Sequence, residues 1–185
     1  MNIILGSTSP RRKELLAAMG FEFRTMSPDI DESFSDEIPV EKVAAFLAEA
    51  KANALVDSLE KDDLLICSDT VVIIDNQILG KPTDRQNSHE ILSQLSGNTH
   101  LVITGVALKS LHKTKIFSVK TEVKFGNLSD KQIEYYIQNY NPFDKAGSYG
   151  IQDWIGLIGV EKINGSYTNV MGLPTHELYV AIFNF

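Results

Sequence analysis

Leu64-Leu65-Ile66-Cys67-Ser68-Asp69-Thr70-Val71-Val72-Ile73-Ile74 is the most continuous apolar run in the chain, broken only by Ser68-Asp69-Thr70. Its β-branched content and the turn residues Asp75-Asn76 that close it predict an inner strand folding back into Gln77–Leu79. Asp69 is out of place in such a strand, because an unpaired carboxylate taken out of water costs several kcal/mol. A carboxylate kept there calls for a cation, a metal or a proton. The plainer alternative ends the strand at Cys67 and lets Asp69 open a loop. Val71–Ile74 resumes the strand pattern at once, which favours the functional reading.

Outward from this strand, helical and extended patterns are mixed along the whole chain. Asn2–Leu5 reads as a strand and Arg11–Met19 as a helix, with Ser9 as its cap, Pro10 at its first position and Gly20 as its stop. A second strand is expected near Phe21–Thr25, then an acidic loop, Ser27–Glu37. A long helix follows from Pro39 to about Leu59, with Val43, Phe46, Leu47, Ala50 and Ala54 as its buried stripe. Beyond Leu79 the expectations are a helix over Thr83–Leu95, a hairpin-like pair His100–Lys109 and Ile116–Phe125, and a helix from Ser129 to about Asn139. Asn141–Gly159 is rich in glycine, Ile155–Ile163 reads as a strand, Asn164-Gly165 as a turn, and Pro174–Phe185 as a last helix. This mixture predicts an α/β (α+β) protein with a central mixed β-sheet flanked by helices.

With 185 residues, 43% hydrophobic, the chain is expected to form one domain over residues 1–185 with a core of its own. One cysteine and no leading apolar segment point to a reducing, cytoplasmic setting. No window has the ~18 apolar residues that would cross a bilayer, so no membrane partner is expected. A net charge of -7 argues against a polymeric nucleic acid, whose backbone selects for broad basic surfaces, but leaves room for a small anion.

Several residues are chemically suggestive only in company. Gly6-Ser7-Thr8-Ser9-Pro10-Arg11-Arg12 brings hydroxyls and two arginines to a strand-to-helix junction, where free amides and the helix dipole suit a phosphate. Taken alone it is an ordinary cap, and it lacks Walker spacing. Lys51 shares a helical row with Leu47 and Leu55, which predicts a covered stem, although a snorkelling surface lysine is the default. Lys81 sits in a rigid Gly80-Lys81-Pro82 turn just after the Asp69 hairpin. Asp31 and Glu32 are either a solvated acidic face or a metal site. In Pro142–Gln152, glycines permit close approach of backbone and the Gln152 amide can read a base edge. The four histidines show no zinc spacing, and Cys67 reads as a small buried hydrophobe.

Together, Leu5–Arg12, Asp31-Glu32-Ser33, Lys51-Ala52, Ser68-Asp69-Thr70-Val71-Val72, Leu79-Gly80-Lys81-Pro82, Pro142–Gln152 and Gly165–Pro174 resemble the Maf family of nucleoside triphosphate pyrophosphatases. The resemblance runs from the first strand to the last helix and implies a Maf or inosine triphosphate pyrophosphatase-like fold. It also implies a metal-dependent hydrolase that cuts between the α- and β-phosphates, with Asp69 as proton acceptor. Arg12, Thr70 and Gln152 match the subgroup that takes dTTP and UTP; the sister subgroup takes 7-methyl-GTP. Ser7, Arg11, Arg12, Lys51 and Lys81 are then expected at the phosphates. Glu32 and Asp69 are expected at Mg²⁺ or Mn²⁺, with Asp69 open to either role, base or ligand. A homodimer is implied as well. A nucleotide-binding regulator of cell division with little turnover is the alternative from a different class.

Overall fold

A computed structural model describes residues 1–185. Its elements are, in chain order, β1 (Asn2–Gly6), α1 (Pro10–Ala18), β2 (Phe23–Met26), α2 (Val43–Ala54), β3 (Asp63–Ile74), β4 (Gln77–Leu79) and α3 (Arg85–Leu95). Then follow β5 (Thr99–Lys109), β6 (Thr114–Phe125), α4 (Asp130–Tyr140), α5 (Trp154–Gly159), β7 (Val160–Asn164), α6 (Tyr167–Met171) and α7 (Thr175–Phe183). The sheet has seven strands in the order β2-β1-β3-β5-β6-β7, with β4 paired to β3. It is mixed, as expected: β1 runs parallel to β2 and β3, whereas β4 and β7 are antiparallel to β3 and β6. β3 passes unbroken through Ser68-Asp69-Thr70, so Asp69 lies in a strand and does not open a loop.

The chain divides into two compact units, and β3, β5 and β6 each give part of their length to both. The first comprises Met1–Thr70, Thr104–Val119 and Gly172–Phe185. Here the two-residue period of β3 sorts its side chains between two sets of helices. Leu64 and Ile66 pack with Leu16, Leu178 and Ile182 of α1 and α7. Leu65 and Cys67 pack with Ala48 and Ala52 of α2. Asp63, buried at the start of β3, accepts the Glu60 amide at 2.9 Å and an Arg24 N–H at 2.7 Å. Those bonds, the Glu60 amide foremost, hold its carboxyl below the usual range against the opposing effect of burial.

The helix expected from Pro39 to Leu59 is three pieces: a 3-10 turn Val40–Lys42, then α2, then a second 3-10 turn Val56–Ser58. Its buried face is also different. Val43, Ala44, Leu47, Ala48, Lys51 and Ala52 point inward, while Phe46 is 42% exposed and Ala54 lies outside. The reason is proximity to the sheet. A Cβ on Gly105 of β5 would fall on the backbone of Ala44, so α2 lies where only small side chains fit, and a phenylalanine on that row has no room. α1 begins with Pro10 as expected, but Ser9 caps by position alone: its side chain makes no cap bond, and its own N–H donates to Ser7 Oγ at 3.2 Å.

The second unit comprises Val71–Ile103 and Lys120–Met171. Its core sets Ile91, Leu92 and Leu95 of α3 with Phe125, Tyr136 and Tyr149. Asp84 caps α3 through the Asn87 amide at 2.8 Å, and a Ser129/Gln132 capping box opens α4. The strand expected over Ile155–Ile163 is a helical turn, α5, followed by β7. A short apolar run has no period that separates strand from helix, and Gly156, whose Cβ would meet the Ile151 carbonyl, permits the tight turn. α6 has no counterpart among the expected elements. Its Asn169 is buried and donates to Val102 O at 3.1 Å and Thr121 Oγ1 at 3.0 Å.

His100, 2% exposed, lies edge-on to Phe125, with Nε2 2.7 Å from the Tyr149 hydroxyl. Burial lowers its pKa from 6.5 to about 4.

Two consequences are measurable. Gly105→Ala should destabilise the protein by about 1–3 kcal/mol, because the added methyl has no space beside Ala44; the midpoint of denaturant unfolding reads this. For His100, the unfolded chain takes up a proton that the folded protein refuses. Its contribution is therefore intact above pH 6.5 and is lost as the pH falls toward about 4. Unfolding free energy should fall by about 2 kcal/mol more between pH 7 and pH 5 in the wild type than in His100→Gln.

Candidate active site

The first unit gathers five of the residues singled out by the sequence: Arg12, Glu32, Lys51, Asp69 and Thr70. The alternation along β3 explains the meeting. Asp69 follows Leu65 and Cys67 onto the face covered by α2, where Lys51 occupies the buried row of that helix beside Ala48 and Ala52. Lys51 Nζ donates to Asp69 Oδ1 at 2.5 Å and stands 2.7 Å from Glu32 Oε1, which reaches in from the acidic loop. The lysine and the aspartate are almost enclosed, with side-chain exposures of 9% and 13%. Two carboxylates thus share one ammonium. Asp69 Oδ2 makes no hydrogen bond within the protein, whereas both oxygens of the structural Asp63 are used.

Thr70 follows Leu64 and Ile66 to the other face, toward α1. There Arg12 donates through Nη2 to Thr70 Oγ1 at 3.2 Å, through Nη1 to the Ser68 carbonyl at 2.7 Å, and through Nε to the Gly172 carbonyl at 2.9 Å. The Thr70 hydroxyl in turn meets the buried Thr104 hydroxyl at 2.9 Å. Arg12 therefore grips β3 at the two residues that flank Asp69. Burial lowers the Arg12 pKa, and the negative charge of Asp69 opposes that shift. Arg11 and Glu32 also act on its charge. Ser7 is buried with its Oγ on the Ser9 amide.

Lys81 and Gln152 lie in the second unit. Lys81 is exposed after β4, and Gln152 sits before α5 with its Oε1 buried and without a partner. Gly150 permits this arrangement: a Cβ there would stand 2.8 Å from Gln152 Nε2 and 2.6 Å from Asp153 Oδ2. Cys67 is a buried free thiol whose pKa is pushed up to about 12 by burial, which makes it inert packing. Sequence reading missed Thr104 and the Gly172 carbonyl. No spacing announces either one, because a main-chain acceptor carries no residue signature and Thr104 looks like any strand threonine.

A protein of this build is an α/β protein with a mixed sheet, in which a central strand carries a lysine-held carboxylate and is gripped by an arginine at the residues on either side of it. The chain belongs to the Maf-like protein family, which matches residues 2–185. It is 48% identical to a dTTP/UTP pyrophosphatase of Phocaeicola vulgatus over 97% of this chain and 94% of that relative. It is also 48% identical to a dTTP/UTP pyrophosphatase of Porphyromonas gingivalis over 99% of this chain and 94% of that one. The Ham1 protein of Staphylococcus aureus shares the fold at a TM-score of 0.52 and 15% identity, over 100% of this chain and 98% of its own. The expected fold class is met. No helix is long and apolar enough to cross a membrane.

The grip of Arg12 is testable apart from catalysis. Arg12→Lys keeps the charge but not the fork, so it should lower the unfolding free energy by about 2 kcal/mol with the circular dichroism spectrum retained.

Proposed function

We propose that this chain is a nucleoside triphosphate pyrophosphatase for dTTP and UTP, releasing the monophosphate and pyrophosphate. The observation that carries the reading is the Lys51 ammonium held between Asp69 and Glu32, on a strand braced by Arg12 on either side of Asp69. The names of relatives that match along nearly the whole chain supply the substrate. Residues 1–185 then act as one catalytic domain, in the cytoplasm and as a homodimer.

In this reading a water oxygen attacks the α-phosphorus, the bridging bond between the α- and β-phosphates breaks, and pyrophosphate departs with the bond's electrons. Asp69 accepts the water's proton on Oδ2, while Oδ1 stays on Lys51. Lys51, together with Ser7, Arg11 and Lys81, faces the negative charge that grows on the phosphates, and such preorganised donors suit a transition state that spreads charge over oxygen. Arg12 contributes its charge from a fixed position while it holds Thr70. Base choice falls to Gln152, Thr70 and Arg12, with the unpartnered Gln152 Oε1 suited to a donor such as the imide N–H of uracil or thymine.

Glu32 and Asp69 fit a hard divalent cation, since two carboxylates that reach one ammonium also lie within the span of one metal ion. Mg²⁺ or Mn²⁺ held by these two carboxylates would complete its shell with water and substrate phosphate. When bound, it would supply neutralisation of phosphate charge.

Purified protein with Mg²⁺ or Mn²⁺ and a panel of triphosphates, 7-methyl-GTP included, is expected to give monophosphate and pyrophosphate from dTTP and UTP first. Asp69→Asn is expected to lower kcat by at least about 100-fold. Diphosphate and orthophosphate as products would move the cleaved bond, a preference for 7-methyl-GTP would reassign the base, and no turnover at all would leave a binding protein.

A further inference from the structure

The carboxamide of Gln152 is carried by a short turn, Gly150–Asp153, closed by the Asp153 N–H donating to the Gly150 carbonyl at 3.0 Å. Tyr136 of α4 braces that turn at both ends. Its side chain is fully buried, and its hydroxyl makes two bonds, accepting the Gly150 N–H at 3.0 Å and donating to Asp153 Oδ2 at 2.7 Å. One oxygen therefore ties down the residue two positions before Gln152 and the residue directly after it. The Gln152 amide lies against the bare Cα of Gly150, where an added Cβ would come within 2.8 Å of Nε2. Its Oε1 is buried and has no partner of its own.

We infer that Tyr136 is a positioning residue for nucleobase selection: its hydroxyl pins Gly150 and Asp153 and thereby holds the Gln152 carboxamide in the attitude that meets the base edge. The inference rests on the proposed function, in which Gln152 reads the base. A tyrosine serves here where a phenylalanine of the same bulk would not. The hydroxyl both donates and accepts, so it bridges an amide and a carboxylate that have no direct bond to one another. The bond from Gly150 is buried and costly to break, because the amide would be left without water or a substitute. An orphaned carboxamide oxygen, by contrast, gains its bond only when a base with a suitable donor arrives. Tyr136 touches no reacting atom in this scheme, so it sets KM and ranking rather than the rate of phosphorus chemistry.

The test compares the full-length wild type with Tyr136→Phe and Asp153→Ala, measuring kcat and KM for dTTP, UTP, dCTP and GTP. Loss of the pin is expected to raise KM for dTTP and UTP by about 10-fold, to leave kcat within about 3-fold, and to narrow the preference over dCTP and GTP. Gly150→Ala should do the same by displacing the amide directly. A merely structural hydroxyl would lower thermal stability while leaving KM and the substrate ranking as in the wild type, and that result overturns the inference. Should Tyr136→Phe fail to fold, Asp153→Ala decides, since it removes the bond from the Tyr136 hydroxyl and the longer ion pair with Lys145 but leaves the tyrosine packed in the core. A wild type without preference for dTTP and UTP overturns the functional reading first, and this inference falls with it.

Discussion

A carboxylate placed in the middle of a buried strand has to be met by a cation, and the arrangement of the first unit follows from how that requirement is satisfied. Asp69 is flanked in sequence by apolar residues that pull β3 into the core, so its charge travels inward with them. Lys51 meets it from a helix whose inward face is small and apolar, with Ala48 and Ala52 beside it, and Glu32 closes on the same ammonium. An ion pair this enclosed is poor as a source of stability, because desolvation offsets most of its Coulombic gain. Its retention suits chemistry better than it suits folding, and the contrast with Asp63 sharpens the point. Asp63 is as buried but is spent on an amide, an arginine and an asparagine, as a structural carboxylate should be.

The two-residue period of a strand does the rest of the sorting. In the first unit Leu65 and Cys67 face α2 while Leu64 and Ile66 face α1 and α7, and the same alternation gives Asp69 a lysine and Thr70 an arginine. Arg12 uses its planar fork on two main-chain carbonyls and a hydroxyl, an arrangement a lysine cannot reproduce. α2 approaches the sheet closely at Gly105, where a Cβ would meet the backbone of Ala44. Each feature is modest alone. Together they fix one carboxylate oxygen and leave the other available.

Much of this is legible in the sequence. The strand through Asp69 could be read because apolar residues resume at Val71, and the mixed sheet because strand and helix patterns interleave. Lys51 could be placed inside because it shares a row with Leu47. The errors have physical causes too. Phe46 is more hydrophobic than Ala48, and periodicity weighed by hydrophobicity therefore rotates α2 toward it; closeness to the sheet, which rewards small side chains, rotates it back. The run Ile155–Ile163 holds apolar residues and glycines in a pattern that both a strand and a tight helical turn satisfy. His100 and Tyr136 look unexceptional in sequence, since their partners, Tyr149 and the Gly150–Asp153 loop, are distant along the chain.

Sequence alone shows which residues are chemically costly to place and the type of element each occupies: a carboxylate in an apolar strand, a lysine on a leucine row, an arginine after a junction that ends in proline. Those are local properties, written in composition and period, and the family motifs repeat them in order. Which of these residues meet is settled by the packing of distant segments. That Lys51 holds Asp69 and Glu32, that Arg12 spends itself on Ser68, Thr70 and Gly172, and that one tyrosine hydroxyl pins the loop around Gln152 depends on contacts between elements far apart in the chain. Several of these end on main-chain atoms, which every residue carries and no sequence distinguishes.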